Sequence, residues 1–304
     1  MLVNLRDITA MAEQRGMAVA AFNVPSLEAA RAALDAAERT GLPVIIQHAE
    51  CHEGIVPLDV MGPVMVALAE RSRAPVCVHL DHCEHLDYMR RALEMGFTGA
   101  MFDGSALSYE RNVELSARAA AMCAPFGCGL ECELGSMGSR EGDVVDGEDA
   151  EGRAEAVYTD PHDAGDFVRR TGLDALACSF GTVHGLYKGE PRLSFGVLEQ
   201  VRENAPVPLV MHGGSGVSDE DYRRAIRAGI RKINYYTYGA KFAGEAATEA
   251  VRVREGERRP VYWHDLTMAA YERLLEDAMG VMRVFAGEGA PADGESQGAV
   301  CEED

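Results

Sequence analysis

The stretch VPLVMHGGSG, Val207 to Gly216, sets a histidine and a glycine-rich turn at the end of a short apolar run. Histidine offers a metal ion a neutral ring nitrogen. Gly213, Gly214 and Gly216 let backbone N–H groups turn toward an anion without interference from a Cβ. A single histidine before a glycine turn is most often a core or surface residue, so the chemistry depends on partners elsewhere. His82, in HLDH (His79 to His82), and His184, in GTVHGLYK (Gly181 to Lys188), supply them. Three imidazoles are the ligand set of a catalytic Zn2+ with one position open for a substrate oxygen. Asp81 stands beside His82, and Glu131 and Glu133 flank Cys132, so both point to one face of a strand. Asp103 and Glu133 either hold a second metal or orient the first ligand set. His79 shares a face with Asp81 rather than His82, which suits a supporting or packing role. His48, His52, His85, His162 and His264 read as loop or surface residues.

These residues can meet only if the chain brings strand ends together. Short apolar runs of strand length cover Val19–Phe22, Pro43–Gln47, Val76–Leu80, Gly99–Phe102, Gly129–Leu134, Leu173–Cys178, Pro208–Met211 and Lys232–Tyr235. Helical patterns alternate with them, at Pro25–Thr40, Pro57–Arg73, Leu86–Met95, Tyr109–Ala124, Ala164–Thr171, Leu193–Asn204 and Asp219–Ala228. A helix over Ile8–Arg15 precedes them, and helices over Gly239–Arg254 and Leu266–Phe285 follow. Eight strand–helix units predict an α/β fold, a closed (β/α)8 TIM barrel with an N-terminal helix and extra C-terminal helices; an open doubly wound sheet is the runner-up. One barrel domain is expected over residues 1–286, with a disordered acidic tail over 287–304. The glycine-rich acidic segment Gly135 to Asp160 reads as a mobile lid. In such a barrel the C-terminal strand ends form one face, which collects Asn23, Gln47, His48, Asp81, His82, Asp103, Glu133, His184, His212 and Asn234. The GGSG turn and Asn234 fall at the corner where barrels commonly hold a phosphate.

At 304 residues and 47% hydrophobic content the chain can bury a sizeable core. The net charge of -20 argues against nucleic acid and anionic membranes. It also favours a local cation wherever a phosphorylated substrate binds. The apolar runs are too short to span a bilayer and Met1 to Ala20 has no signal-peptide pattern, so a cytoplasmic protein is expected. Eight cysteines without a C-x-x-C pair read as reduced, buried side chains.

HLDH, MFDGS (Met101 to Ser105), ECELG (Glu131 to Gly135), GTVHGLYK, PLVMHGGSG and KIN-x-x-T (Lys232 to Thr237) stand in an order and spacing that resembles the class II ketose-bisphosphate aldolases. Those are the zinc-dependent fructose- and tagatose-1,6-bisphosphate aldolases. AFNV (Ala21 to Val24) and PVIIQ (Pro43 to Gln47) look like that family's first two strands, and the likeness covers roughly residues 5 to 285. The resemblance implies that His82, His184 and His212 bind one Zn2+ and that Asp81 is the acid/base at the C4 hydroxyl. It implies that Gly185, Gly213, Gly214, Ser215, Asn234 and Thr237, with Asn23 and Lys188, hold substrate, and that a monovalent cation (Na+ or K+) sits near the glycine turns. Glu141 matches the family's mobile proton-exchanging glutamate, although Gly142 stands where an aspartate is usual. The substrate is then a sugar phosphate cleaved to dihydroxyacetone phosphate and an aldehyde, by a homodimer or homotetramer; the apolar helix end Met279 to Phe285 suits such an assembly.

The departures from the family pattern fall on the aldehyde side. Its small serine-containing turn is here His48-Ala49-Glu50-Cys51-His52, which adds bulk and a negative charge, and Tyr235-Tyr236 fill the space between Asn234 and Thr237. Ser139 and Arg140 likewise replace a glycine-rich pattern in the lid. Fructose, tagatose and other phosphoketose substrates therefore all stay open. A metal-dependent barrel hydrolase or isomerase would not require both the GGSG turn and Asn234. A non-catalytic sugar-phosphate-binding subunit would not require Asp81 with all three histidines. A Schiff-base mechanism is disfavoured because Lys232, at the start of its strand, is the one lysine in a barrel run.

Overall fold

The computed structural model describes residues 1–135, 158–185 and 191–287. Eight parallel strands close into a barrel in chain order: β1 (Val19–Asn23), β2 (Val44–Ala49), β3 (Val76–Cys83), β4 (Gly99–Phe102), β5 (Gly129–Leu134), β6 (Ala175–Cys178), β7 (Leu209–Met211) and β8 (Ile230–Tyr235). Every strand but β3 is buried along its whole length; β4, β6 and β7 are apolar throughout, whereas β5 (GLECEL) and β8 (IRKINY) alternate charged or polar residues with apolar ones. The helices α2 (Leu27–Thr40), α3 (Leu58–Arg71), α4 (Leu86–Glu94), α5 (Tyr109–Cys123), α6 (Pro161–Thr171), α7 (Phe195–Asn204) and α8 (Asp219–Arg227) follow strands β1 to β7 in turn. The expected (β/α)8 barrel is the fold found.

The first helix, α1 (Leu5–Arg15), plugs the end where the strands begin. The Leu5 amide donates to the Thr98 carbonyl (3.2 Å), and Leu5 and Ile8 are fully buried. Gly129 makes this approach possible, because a Cβ there would lie 2.8 Å from Leu5 Cβ. With one end filled, the opposite rim is left for chemistry. Beyond β8, α9 (Thr237–Gly256) and α10 (Trp263–Phe285) pack on each other, and α10 lies against α2. Met282 and Phe285 are buried in the chain's own core, while Met279, Val281 and Val284 are half-buried against it. None of the seven cysteines among the described residues is in a disulfide, and six of them are buried.

One strand breaks the regular pattern where it matters. β3 runs to Cys83 rather than ending at Leu80, and its pairing with β4 shifts between Leu80 and Cys83. His82 sits at this irregularity with φ 43°, a left-handed conformation that a histidine rarely adopts. Strict alternation would send Asp81 and His82 to opposite faces. The local twist instead delivers both to the rim.

Candidate metal centre and active site

His82, His184 and His212 each offer a ring nitrogen, and the three atoms lie within 4.8 Å of one another. His82 Nε2 and His212 Nδ1 are 2.9 Å apart, and the His82 and His184 rings meet edge to face with centroids 4.9 Å apart. Carboxylates fix the ring nitrogens that face away. His82 Nδ1 lies 2.8 Å from Asp103 Oδ2, and His212 Nε2 lies 2.7 Å from Glu131 Oε1. Each carboxylate accepts the N–H of its partner, which leaves a lone pair on each ring aimed at the other histidines. This is the tautomer a metal ligand needs. Burial alone would lower the His82 pKa, but Asp81, Asp103 and Glu133 around it hold it well above the usual value, a field of the sign that retains a cation. The three histidines therefore fit a metal ion of the Zn2+ type.

Asp103 and Glu133 also lie within ligand distance of His82. Asp103 is engaged on both oxygens, since Oδ1 accepts from Ser105 N (3.1 Å) and Ser105 Oγ (2.6 Å) while Oδ2 faces His82. Of the two roles expected for it, this arrangement matches the orienting one. Glu133 Oε2 is buried without a hydrogen-bond partner, and burial followed by the charge of Asp103 raises its pKa well above the usual carboxylate range.

Asp81 lies at the heart of the rim, fully buried. Its Oδ2 accepts from Asn23 Nδ2 (3.0 Å) and its Oδ1 from Asn234 Nδ2 (3.2 Å), while Gln47 Nε2 donates to Asn23 Oδ1 (2.6 Å). Burial would raise its pKa, but the charges of His82, Lys232 and His212 outweigh burial and hold the carboxyl ionised far below the usual range. Asn234 also reaches His212 at 3.3 Å, so it stands at the reacting centre as well as near the glycine turn.

The glycine turn does more than expose amides. A Cβ on Gly213 (φ +60°) would lie 2.4 Å from the Val183 carbonyl oxygen, so this glycine lets the segment carrying His184 come up against His212. Ser215 is buried and its Oγ accepts from Tyr236 N (3.1 Å), tying the turn to the end of β8. Thr237 is the first residue of α9, and Gly185 (φ 94°) follows His184. Glu141, Lys188 and most of the segment read as a lid lie outside the described residues.

Several readings of the sequence need correction. His48 and His52 are not surface residues but 1% exposed. His85, His162 and His264 are exposed, as expected. Glu50 pairs with His85 Nδ1 (2.6 Å) and accepts from Glu84 N (2.8 Å). Lys232 lies inside β8 rather than at its start, and is a fully buried partner of Glu131, with Nζ 2.8 Å from Oε2. His79 Nε2 approaches the same oxygen at 3.4 Å, which gives that histidine the supporting place expected of it. Alternation along β5 and β8 could place Glu131 and Lys232 inside the barrel; that they touch each other follows only from closure.

The model of the family described as fructose-bisphosphate aldolase class-II matches residues 3–289. The chain belongs to this family. As a class II aldolase it is a carbon–carbon lyase. It is 34% identical over 287 residues to a probable fructose-bisphosphate aldolase of Bacillus subtilis, covering 93% of this chain and 97% of the relative. It is 40% identical over 278 residues to a sulfofructosephosphate aldolase of Alkalicoccus urumqiensis, covering 91% and 94%. The crystal structure of the YdjI aldolase from Escherichia coli K12 superposes with a TM-score of 0.81 at 33% identity, over 95% of this class II aldolase and 99% of that chain.

Proposed function

We propose that this class II aldolase cleaves a phosphorylated ketose reversibly into dihydroxyacetone phosphate and an aldehyde, with Zn2+ held by His82, His184 and His212. The observation that carries the reading is Asp81, gripped by two amides beside three converging histidines. The metal's contribution is to polarise a carbonyl oxygen of the substrate. The rest falls to side chains. Asp81, with both oxygens oriented, takes the C4 hydroxyl proton as the C3–C4 bond breaks and returns it in condensation. Asn23 and Asn234 keep that carboxylate from rotating, and Gln47 fixes Asn23. Gly185, Gly213, Gly214, Ser215 and Thr237, with Lys188 and a monovalent cation, hold the phosphate end of the donor half; Glu141 exchanges the proton at its C3. The relatives' substrates suggest fructose 1,6-bisphosphate and sulfofructose phosphate, with tagatose 1,6-bisphosphate as the C4 epimer to set beside them.

The test is release of dihydroxyacetone phosphate from each of these sugars before and after chelation, with zinc restored. Activity lost to chelator and recovered with zinc is the expected outcome. Asp81→Asn should keep bound zinc while turnover falls by about 10²–10⁴-fold. A zinc-replete protein inactive on the whole panel, or an Asp81→Asn variant that keeps its rate, overturns the reading.

A further inference from the structure

The short 3-10 turn after β2, Glu50–Gly54, carries a polar side chain for which the fold has no use. His52 is 1% exposed, and neither of its ring nitrogens has a hydrogen-bond partner. Leaving two such groups dry and unpaired is unfavourable, so a buried imidazole of this kind is expected to meet a ligand or ordered water. The turn is fixed from behind. Tyr88 Oη donates to Glu53 Oε2 (2.6 Å) and accepts from His48 Nε2 (3.0 Å), and Glu53 Oε2 also accepts from Leu58 N (2.8 Å). With Glu50 and Glu53 both engaged away from the rim, the turn presents an imidazole there and no carboxylate.

Its place is set by the barrel. Ala49, the last residue of β2, pairs with Asp81 on β3, and His52 follows three residues later. On its other side the His52 ring tilts against Tyr236, with centroids 5.0 Å apart, and Tyr236 N is held by Ser215 Oγ. His52 thus spans from the Asp81 side of the rim to the turn expected to hold phosphate. Burial lowers the pKa of this ring, with the charge of Asp81 opposing the shift and that of His82 adding to it. An imidazole with both ring nitrogens unpartnered can donate through one and accept through the other, which matches a hydroxyl, itself both donor and acceptor.

We propose that His52 recognises the aldehyde half of the substrate by hydrogen-bonding a hydroxyl on the carbon next to the reacting carbonyl, making the preferred acceptor a 2-hydroxyaldehyde. This rests on the aldolase reading above: if Asp81 handles the C4 oxygen, the next oxygen along the sugar is the one within reach of its neighbour. His52 is then the residue that separates hydroxylated from deoxy acceptors.

The experiment uses the zinc-loaded enzyme and two acceptors, glyceraldehyde and propanal, each condensed with dihydroxyacetone phosphate. Solvent deuterium exchange into dihydroxyacetone phosphate alone is followed in parallel, because it needs no aldehyde. His52→Phe should lower the kcat/KM ratio of glyceraldehyde over propanal by about tenfold or more, the effect of one buried hydrogen bond, with deuterium exchange and zinc content retained. His52→Gln, which keeps a donor and an acceptor, should retain more of the ratio than His52→Phe. An unchanged ratio in His52→Phe with exchange intact overturns the proposal. Equal losses for both acceptors and for exchange assign His52 a structural role and overturn it too. A wild-type enzyme that neither exchanges deuterium nor condenses either aldehyde removes the aldolase reading itself, and the proposal with it.

Discussion

His212 and His82 are the same residue type with the same kind of partner, set in opposite surroundings. His212 donates to Glu131, and both are fully buried; Glu131 in turn binds Lys232, also fully buried. His82 donates to Asp103, each side chain 12% exposed, and Asp103 takes its other bonds from Ser105 at the rim. Burial would raise the Glu131 pKa, but Lys232, the hydrogen bond from His212 and the nearby His79 ring hold it well below the usual carboxylate value. On the inner side, the group that orients a ligand is part of the barrel core. On the rim side it is a local loop. The same carboxylate–imidazole pair should therefore couple metal affinity to folding at His212 and leave the two separate at His82.

The strongest way to break this contrast is Lys232→Met. It leaves Glu131 charged and without its cation inside the barrel, which should cost about 3–5 kcal/mol of stability and weaken zinc together. Urea unfolding with metal analysis on the same samples checks both. Pairing it with Glu131→Gln should restore much of the stability, since no buried charge remains, while the neutral amide orients His212 less well than a carboxylate does. A Lys232→Met enzyme as stable as wild type would show that the inner cluster is not set into the core as argued.

Asp103→Asn probes the other side. Zinc affinity should fall by about 10–100-fold, because the acceptor that fixes His82 loses its charge. Stability should change little, since water can reach the rim. Competition with a chelator of known affinity measures the first and urea unfolding the second. A stability loss as large as that of Lys232→Met would erase the difference between the two histidines.

The contrast also marks how far the sequence could be read. The barrel was legible because eight apolar runs alternate with helical patterns, and strand-end polar residues then had to share a face. His82, His184 and His212 came from that rule together with the motif order. Three features escaped it. Period-2 alternation gives the face of Glu131 and Lys232 but not which of the opposing strands each will meet. His82 reaches the rim beside Asp81 only through the left-handed turn at the end of β3, which no residue-type preference announces. His52 sits in a polar run, ECHEG, whose composition reads as solvent-facing. Its burial depends on Tyr236, brought next to it only when β8 closes against β1.

The finest test is Ser105→Ala. Asp103 Oδ1 accepts from Ser105 Oγ at 2.6 Å and from Ser105 N at 3.1 Å, so the substitution removes one bond and keeps the backbone one. A net hydrogen bond contributes about 0.5–1.5 kcal/mol, and here water at the rim can take the vacated position. Zinc affinity should therefore fall only a few-fold, with urea stability unchanged within about 0.5 kcal/mol. The chelator competition that resolves Asp103→Asn resolves this smaller step. If Ser105→Ala instead lowered stability by more than Asp103→Asn does, Ser105 would be supporting the backbone after β4 rather than the carboxylate, and the orientation of His82 would rest on Asp103 alone.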